Sequence, residues 1–394
     1  MSRRLISLSP DLSRLREDGY DLDIRNAYLL VRDVPYVGAD AQVKRGILVS
    51  NLDLAGDKTA RPGDHTMKFI GEFPCDQHGV PLEPLRHGNG QDIGGGLVVN
   101  FSFSQKKVGG VPYDDYHEKV TTYVAMLERH AQAIDQTATA RTHPVIVPDD
   151  DEPSTFNYLE TASSRAGIVA ATDKLRLSSV AIVGLGGTGS YVLDQVAKTP
   201  VGAIHLFDHD TFLTHNAFRG PGAPSLDELR TKPTKVAYWG QMYSKMRRGI
   251  VEHPFRVDES TVGELQGMQF VFVCIDGGSA KQLIVEALEQ YGIPFIDAGM
   301  GLGLRNNNSL AGILRVTLSE PGRRDSFRSR VSMAEPREED EYDDNIQVAD
   351  LNALNAVLAV MRWKMLYGFY DDLQNALQVT FTIDTSMLLN EDCG

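Results

Sequence analysis

Cysteine is scarce in this chain: Cys75, Cys274 and Cys393 stand far apart among 394 residues. An odd, scattered set argues against a disulfide framework and against a paired CxxC zinc knuckle. A reducing, cytoplasmic setting is the expectation. Long apolar runs are also missing. No stretch of about 18 apolar residues occurs, so no membrane span is expected. The first ten residues carry Arg3 and Arg4 but lack the apolar segment and small-residue cleavage site of a secretory signal. Positive charge is in deficit, with a formal net charge of −14. That excludes a general nucleic-acid binder, which needs a basic surface to neutralise phosphates. No internal repeat is visible. What is present, 42% hydrophobic and 23% charged residues, is a globular composition with length for two domains. Two short acidic runs, at 149–152 and 338–341, read as solvated linkers, with partner binding as the alternative.

The first hundred residues look β-rich. Apolar bursts at 27–31, 46–49, 67–73 and 97–103 are punctuated by Gly, Pro and Asp. A helix is expected over 114–134, with Val120, Tyr123, Val124, Leu127, Ala131 and Ile134 forming one buried stripe. The Thr-, Pro- and Asp-rich stretch 137–153 is the expected boundary, giving domains at 1–150 and 151–394. Beyond it the period changes. A helical stretch over 155–175 leads to strands at 180–183, 203–207, 269–274 and 294–296, with helices between. Strands alternating with helices predict an α/β fold with a doubly wound, Rossmann-like parallel sheet, preceded by a smaller α+β domain. A last helix over 350–367 presents Leu351, Leu354, Val357, Leu358 and Met361, an apolar face for the core or a dimer contact.

Gly184, Gly186, Gly187 and Gly189 form a GxGxxG turn directly between a strand and a helix. Such glycines allow a tight turn and bring backbone close to phosphates at a helix N-terminus. Asp208 and Asp210 follow at the end of the next strand, where an acidic residue is expected to hold ribose hydroxyls. Up to this point NAD fits as well as ATP. Asn216, Arg219 and Lys235 come next, then Asp276 after an apolar strand. Hydride transfer moves no phosphoryl charge and needs no such cations. Adenylyl transfer does: Arg219 and Lys235 can neutralise a triphosphate, and Asp276 can hold magnesium. Positioning and electrostatics suffice for the step, so no protein nucleophile is required.

This ordered set resembles the superfamily of ThiF, MoeB and the ubiquitin-activating enzymes, over roughly residues 155–389. The resemblance implies ATP and Mg as cofactors and adenylation of the C-terminal carboxylate of a ubiquitin-like protein ending in Gly. It makes Asp208 the ribose ligand, puts Asp210 at the second acidic position, and makes Asn216, Arg219 and Lys235 phosphate contacts. Asp276 becomes the magnesium ligand. Arg165 resembles an arginine that reaches a partner subunit's ATP site, against the alternative of a solvent-facing side chain. A homodimer is implied. Two positions depart from the family pattern: Gly277 stands where Asn is usual, and Lys281 where Arg is common. The segment 344–356 also resembles the stretch C-terminal to the nucleotide fold in bacterial ThiF-type proteins. The N-terminal region resembles the domain preceding such modules in ubiquitin-like conjugation operons. That implies binding of the modifier or of a conjugating protein, or a divergent acceptor domain.

A thioester step would need a cysteine, and none lies between Ile275 and Asp392. Cys274 reads as a core residue and Cys393 as part of a tail. Cys75 is the acceptor candidate, with His65, His78 and His87 nearby in sequence to favour a thiolate; a buried structural cysteine is the alternative. The modifier's tail is expected over 298–308, where Gly299, Gly301 and Gly303 leave room for backbone, unless packing demands those glycines. The basic run 323–330 reads either as a docking loop for an acidic partner or as a solvated loop. Three rival functions stay open: an NAD-dependent oxidoreductase, a non-catalytic scaffold, and activation of a small molecule.

Overall fold

Helices α1 (Ser2–Leu8) and α2 (Pro10–Glu17) open the chain. Strands β1 (Leu22–Arg25), β2 (Tyr28–Val37), β3 (Val43–Asn51), β4 (Leu54–Ala55), β5 (Lys58–Thr59), β6 (Thr66–Ile70), β7 (Arg86–Asp92) and β8 (Val98–Ser104) come next, and then helix α3 (Tyr116–Gln132). The computed structural model describes residues 2–25, 27–94, 97–146, 154–166, 168–331, 333 and 346–391, with backbone alone at 2–4, 108, 164 and 165. The acidic runs and Cys393 therefore lie outside the described residues, as does the side chain of Arg165. Two units are present, Met1–Ile146 and Val147–Gly394.

The first unit is an antiparallel sheet in the order β1-β2-β3-β6-β8-β7. Alternation buries Leu29, Val31, Leu48, Met67, Phe69 and Phe103 in one cluster with Val120, Tyr123, Val124 and Leu127 of α3. The start of α3 is fixed twice: Asp115 accepts from the Glu118 N–H at 2.7 Å, and the buried Asp11 accepts from the Tyr116 N–H at 3.0 Å. Ile134 departs from its expected stripe. The helix stops at Gln132, and Ile134, beyond it, is 43% exposed.

The second unit begins with two short helices, α4 (Ala162–Arg165) and α5 (Val169–Asp173), not the single helix expected over 155–175. The Ser163 and Thr172 hydroxyls, nine residues apart, bond each other at 2.9 Å, a contact that a single continuous helix could not make. Then come β9 (Ser179–Val183), α6 (Gly187–Val196), β10 (Ala203–Phe207), α7 (Thr214–Ala217), α8 (Leu226–Thr231), α9 (Lys235–Ser244) and β11 (Ile250–His253). β12 (Phe270–Val273), α10 (Ser279–Gln290), β13 (Phe295–Leu304), β14 (Leu310–Ser319), α11 (Asp325–Arg330), α12 (Ala349–Leu366), β15 (Gln378–Thr382) and β16 (Met387–Glu391) complete it.

Its sheet runs β11-β10-β9-β12-β13-β14-β15-β16. The first five strands are parallel, giving the expected Rossmann-like half, with the order reversing between β9 and β12. Val180 and Ile182 pack with α6, α9 and α12 on one face, Ala181 and Val183 with α10 and α11 on the other. The remaining strands are antiparallel, so the sheet is mixed and not parallel throughout. Helix α12 turns a different face inward from the one expected. Asn352, Asn355, Ala356, Ala359, Val360 and Trp363 are buried, whereas Val357 and Met361 are 38% and 39% exposed.

Candidate active site

The glycine turn lies at the carboxyl end of β9, beside the reversal in strand order where ligands settle in such sheets. Its four glycines divide their work. Gly184 has φ +89°, and a Cβ there would stand 2.5 Å from the Cys274 carbonyl oxygen. A Cβ on Gly189 would lie 1.9 Å from the Gly184 oxygen, and one on Gly187 1.9 Å from the Asn352 amide nitrogen. Gly186 alone of the four faces open space. It precedes α6, whose free N–H groups and dipole make an anion site.

Asp208, 7% exposed, is held rigidly: its carboxylate accepts from the Leu185 N–H at 2.7 Å and the Asp210 N–H at 2.9 Å. Lys235 starts α9 and places Nζ 2.6 Å from Asp210 Oδ2 and 3.6 Å from Asp208 Oδ2. Burial works against ionisation of Asp210, but the Lys235 hydrogen bond and charge outweigh it and hold the carboxyl below its usual range. Asn216, on the short helix α7, accepts from the Leu213 N–H at 2.8 Å and so fixes the turn carrying Arg219. The Arg219 Nε is buried with no hydrogen-bond partner among the described residues. Burial lowers the Arg219 pKa, with Asp276 acting in the opposite sense. Next to it, burial and then the charges of Arg219 and Lys235 depress His215, which marks this end as electropositive.

Asp276 is exposed in the turn after β12, and Gly278, at φ +103°, leads into α10. Gly184, Gly186, Gly187, Asp208, Asp210, His215, Asn216, Arg219, Lys235 and Asp276 line one cleft of about 1000 Å³. The cleft continues past Cys274 and Lys281 to Gly299, Gly301, Ile313, Arg315 and Thr380. Its volume lies at the upper end of the range for small-molecule and cofactor sites. Asp276 offers the cleft an exposed carboxylate, the oxygen-donor type that magnesium prefers. Asp208, His209 and Asp210 also stand with ligand atoms within 4.8 Å of one another, but Lys235 already supplies a charge there.

A family model described as the ThiF family matches residues 161–372. The chain belongs to the ThiF family. A domain of unknown function, DUF6791, matches residues 10–161. Ubiquitin-like modifier-activating enzyme 5 of Gallus gallus is 25% identical over 168 residues, covering 40% of this chain and 41% of that protein. The adenylyltransferase and sulfurtransferase UBA4 of Saccharomyces cerevisiae is 27% identical over 199 residues, covering 48% and 43%. The chain thus spans about two fifths of the length of the curated relatives it matches. A crystal structure of E. coli MccB with MccA-N7isoASN superposes with a TM-score of 0.46 at 18% identity, covering 60% of this chain and 73% of that one.

Other residues of this ThiF-family chain reach the site without a motif to announce them. Asn352 of α12 donates to the Arg219 carbonyl at 3.1 Å and accepts from the Thr188 hydroxyl at 3.2 Å. Arg315, a single charge in the apolar strand β14, bonds Asp297; a lone arginine there was the available signal. Cys75 is 2% exposed and its thiol contacts the Phe73 carbonyl. Burial, then Asp76, Asp40 and Glu72, push that thiol up, the opposite of what an acceptor needs. His65 instead bonds Ser104 and His78 contacts Gln77. Cys274, at the floor of the cleft, is pushed up to about 12 by burial and by Asp297. The basic run is tied down internally: Arg323 to Glu320, Arg328 to Glu289, Arg330 to Glu391. Among the described residues no helix is long and apolar enough to cross a membrane.

Proposed function

We propose that the chain adenylates the C-terminal carboxylate of a ubiquitin-like protein ending in glycine. The carboxylate oxygen forms a bond to the α-phosphorus of ATP, the bond to the bridging oxygen breaks, and pyrophosphate leaves. In this reading Gly186 admits the phosphates to the N-terminus of α6, and Asp208, held by two backbone N–H groups, receives the ribose. Arg219 and Asn216 meet the phosphates, with Lys235 shared between them and Asp210. Asp276 would hold a magnesium ion, which would supply further charge neutralisation for the pyrophosphate. Domains at 1–150 and 151–394 belong to the same proposal. So do a homodimer placing Arg165 in the partner's ATP site, an N-terminal domain that binds the modifier or a conjugating protein, and a cytoplasmic location.

The observation that most supports the reading is the gathering of Gly186, Asp208, Asn216, Arg219, Lys235 and Asp276 around one cleft. An oxidoreductase has no need of Arg219 and Lys235 at that place. Magnesium-dependent ATP–pyrophosphate exchange with a glycine-ended ubiquitin-like protein tests it, with Asp276→Ala as control. Exchange that requires the free terminal carboxylate and drops at least about 100-fold in the variant is expected. ATP binding without exchange across a panel of such proteins would turn the assignment to a scaffold.

A further inference from the structure

We infer that Arg315 is the residue that receives the terminal carboxylate of the acyl substrate; this rests on the adenylation reading and adds a binding residue to it. β14 reads Leu-Ala-Gly-Ile-Leu-Arg-Val-Thr-Leu-Ser, with one charge among apolar and small residues. A guanidinium in such a strand must be offset by an anion. Asp297 on β13 provides one, accepting from Arg315 Nη2 at 2.8 Å, and is itself 0% exposed. Yet Asp297 already has a counter-ion. Lys281 Nζ lies 2.6 Å from Asp297 Oδ1 and its side chain is only 4% exposed.

One carboxylate against two cations leaves one positive charge over. Of the two, Arg315 is the more open to the cleft, with 27% of its side chain exposed against 4% for Lys281. Its fork is held in place: Nη1 donates to the Arg330 carbonyl at 3.0 Å, while Nε is buried with no hydrogen-bond partner among the described residues. The surplus charge is therefore fixed in direction before any ligand arrives.

The strand beside it is cut back to match. Gly299 pairs with Arg315 in the ladder, and a Cβ on it would come 2.9 Å from Arg315 Nη2, so the arginine itself demands that glycine. Gly301 and Gly303 lie next along the same face, and a Cβ on either would meet nothing within 4 Å. Glycine inside a strand weakens it, and neither positive φ nor packing among the described residues explains these two. The bare strip ends at an arginine whose planar fork matches a carboxylate. A chain end laid over Gly303 and Gly301 delivers its terminal carboxylate to Arg315, in the cleft shared with Gly186.

The test uses a fluorescent tetrapeptide, Ala-Leu-Gly-Gly, as free acid and as C-terminal amide, titrated into the full chain with a non-hydrolysable ATP analogue. The free acid is expected to bind wild type about tenfold more tightly than the amide. Arg315→Gln should lose that preference while keeping its nucleotide affinity, and Arg315→Lys should restore part of it. Asp297 keeps Lys281 in both variants, and melting temperature confirms folding; a purely structural arginine would not discriminate acid from amide. Wild type without a preference for the acid, or Arg315→Gln retaining it, overturns the inference. Pyrophosphate exchange on the same preparations separates the failures. No exchange in wild type removes the adenylation reading, whereas exchange with an unchanged KM for the protein substrate in Arg315→Gln removes the role of Arg315 alone.

Discussion

Alanine at Gly186 and at Gly187 should separate binding from folding at adjacent positions. A Cβ on Gly187 would stand 1.9 Å from Asn352 Nδ2 and 2.3 Å from its Cγ. Asn352 is 0% exposed and cannot swing into water. It must give up its bonds to the Arg219 carbonyl and the Thr188 hydroxyl, or the glycine turn must shift. Two lost hydrogen bonds and a stranded buried amide cost about 2–4 kcal/mol. For a unit of this size that lowers the melting temperature by roughly 5–15 °C. Gly186 has φ −70° and open space around a Cβ, so Gly186→Ala should stay within about 1 kcal/mol of wild type. Binding should behave in the reverse order. Gly186→Ala puts a methyl where phosphates approach the helix N-terminus and should abolish binding of a fluorescent ATP analogue. Calorimetric melting and nucleotide titration of the two variants decide it. If Gly186→Ala melts as early as Gly187→Ala, or binds the nucleotide as wild type does, the division of labour among these glycines is wrong.

Arg247 is 1% exposed and donates to the Ala197, Thr199 and Gly202 carbonyls at 3.2–3.3 Å, just past the C-terminus of α6; burial lowers it to about 10. Arg247→Met strands those carbonyls and should cost about 3–5 kcal/mol in urea unfolding, with a loss below about 1 kcal/mol counting against the clamp. His205 and His253 contact each other at 3.0 Å on β10 and β11, and burial lowers both. The unfolded chain then takes up protons first, so stability is fullest above the ordinary histidine range and falls as pH drops through and below about 6.5. His205→Asn should flatten a plot of melting temperature against pH there, and an unchanged slope would remove the pair as its cause. Cys75→Ser should leave exchange and any covalent transfer of the modifier intact, since the thiol is buried; loss of a thiol-sensitive adduct would restore Cys75 as acceptor.

Four of the five parallel strands were legible as short, mainly apolar runs between turn residues, as in 180–183, whereas β11, which reads Ile-Val-Glu-His, carries too little apolar signal and was missed. The GxGxxG turn, the acidic pair and the cations were legible because they follow one another in a recognisable order along the chain. β13 was read only at 294–296, since Gly-Met-Gly-Leu-Gly looks like a loop; the strand continues through those glycines because β14 pairs with all of it. Residues 155–175 were read as one helical stretch, but the chain folds back there into two short helices that bring the Ser163 and Thr172 hydroxyls together. Arg315 escaped notice because its partners, Asp297 and Lys281, are distant in sequence and meet only in the folded sheet.

Helix α12 is instructive, because the apolar spacing, read as a face for the core or a dimer contact, gave no sign of the amides that turn inward. Asn352 and Asn355, one turn apart, point inward with 0% exposure, and each meets backbone of the site. Asn352 grips Thr188 and the Arg219 carbonyl, while Asn355 donates to the Gly299 carbonyl at 3.2 Å. One rigid helix therefore ties the glycine turn, the arginine loop and β13 together through amides, which apolar side chains of similar size cannot do. Asn352→Leu tests this, because leucine keeps much of the volume and removes only the hydrogen bonds. Fold loss should be modest, about 1–3 kcal/mol. Nucleotide affinity should fall by about tenfold or more, since the turn and the Arg219 backbone lose their common anchor. Equal nucleotide affinity in the variant would mean that these amides only fill space, and that the glycine turn holds its shape unaided.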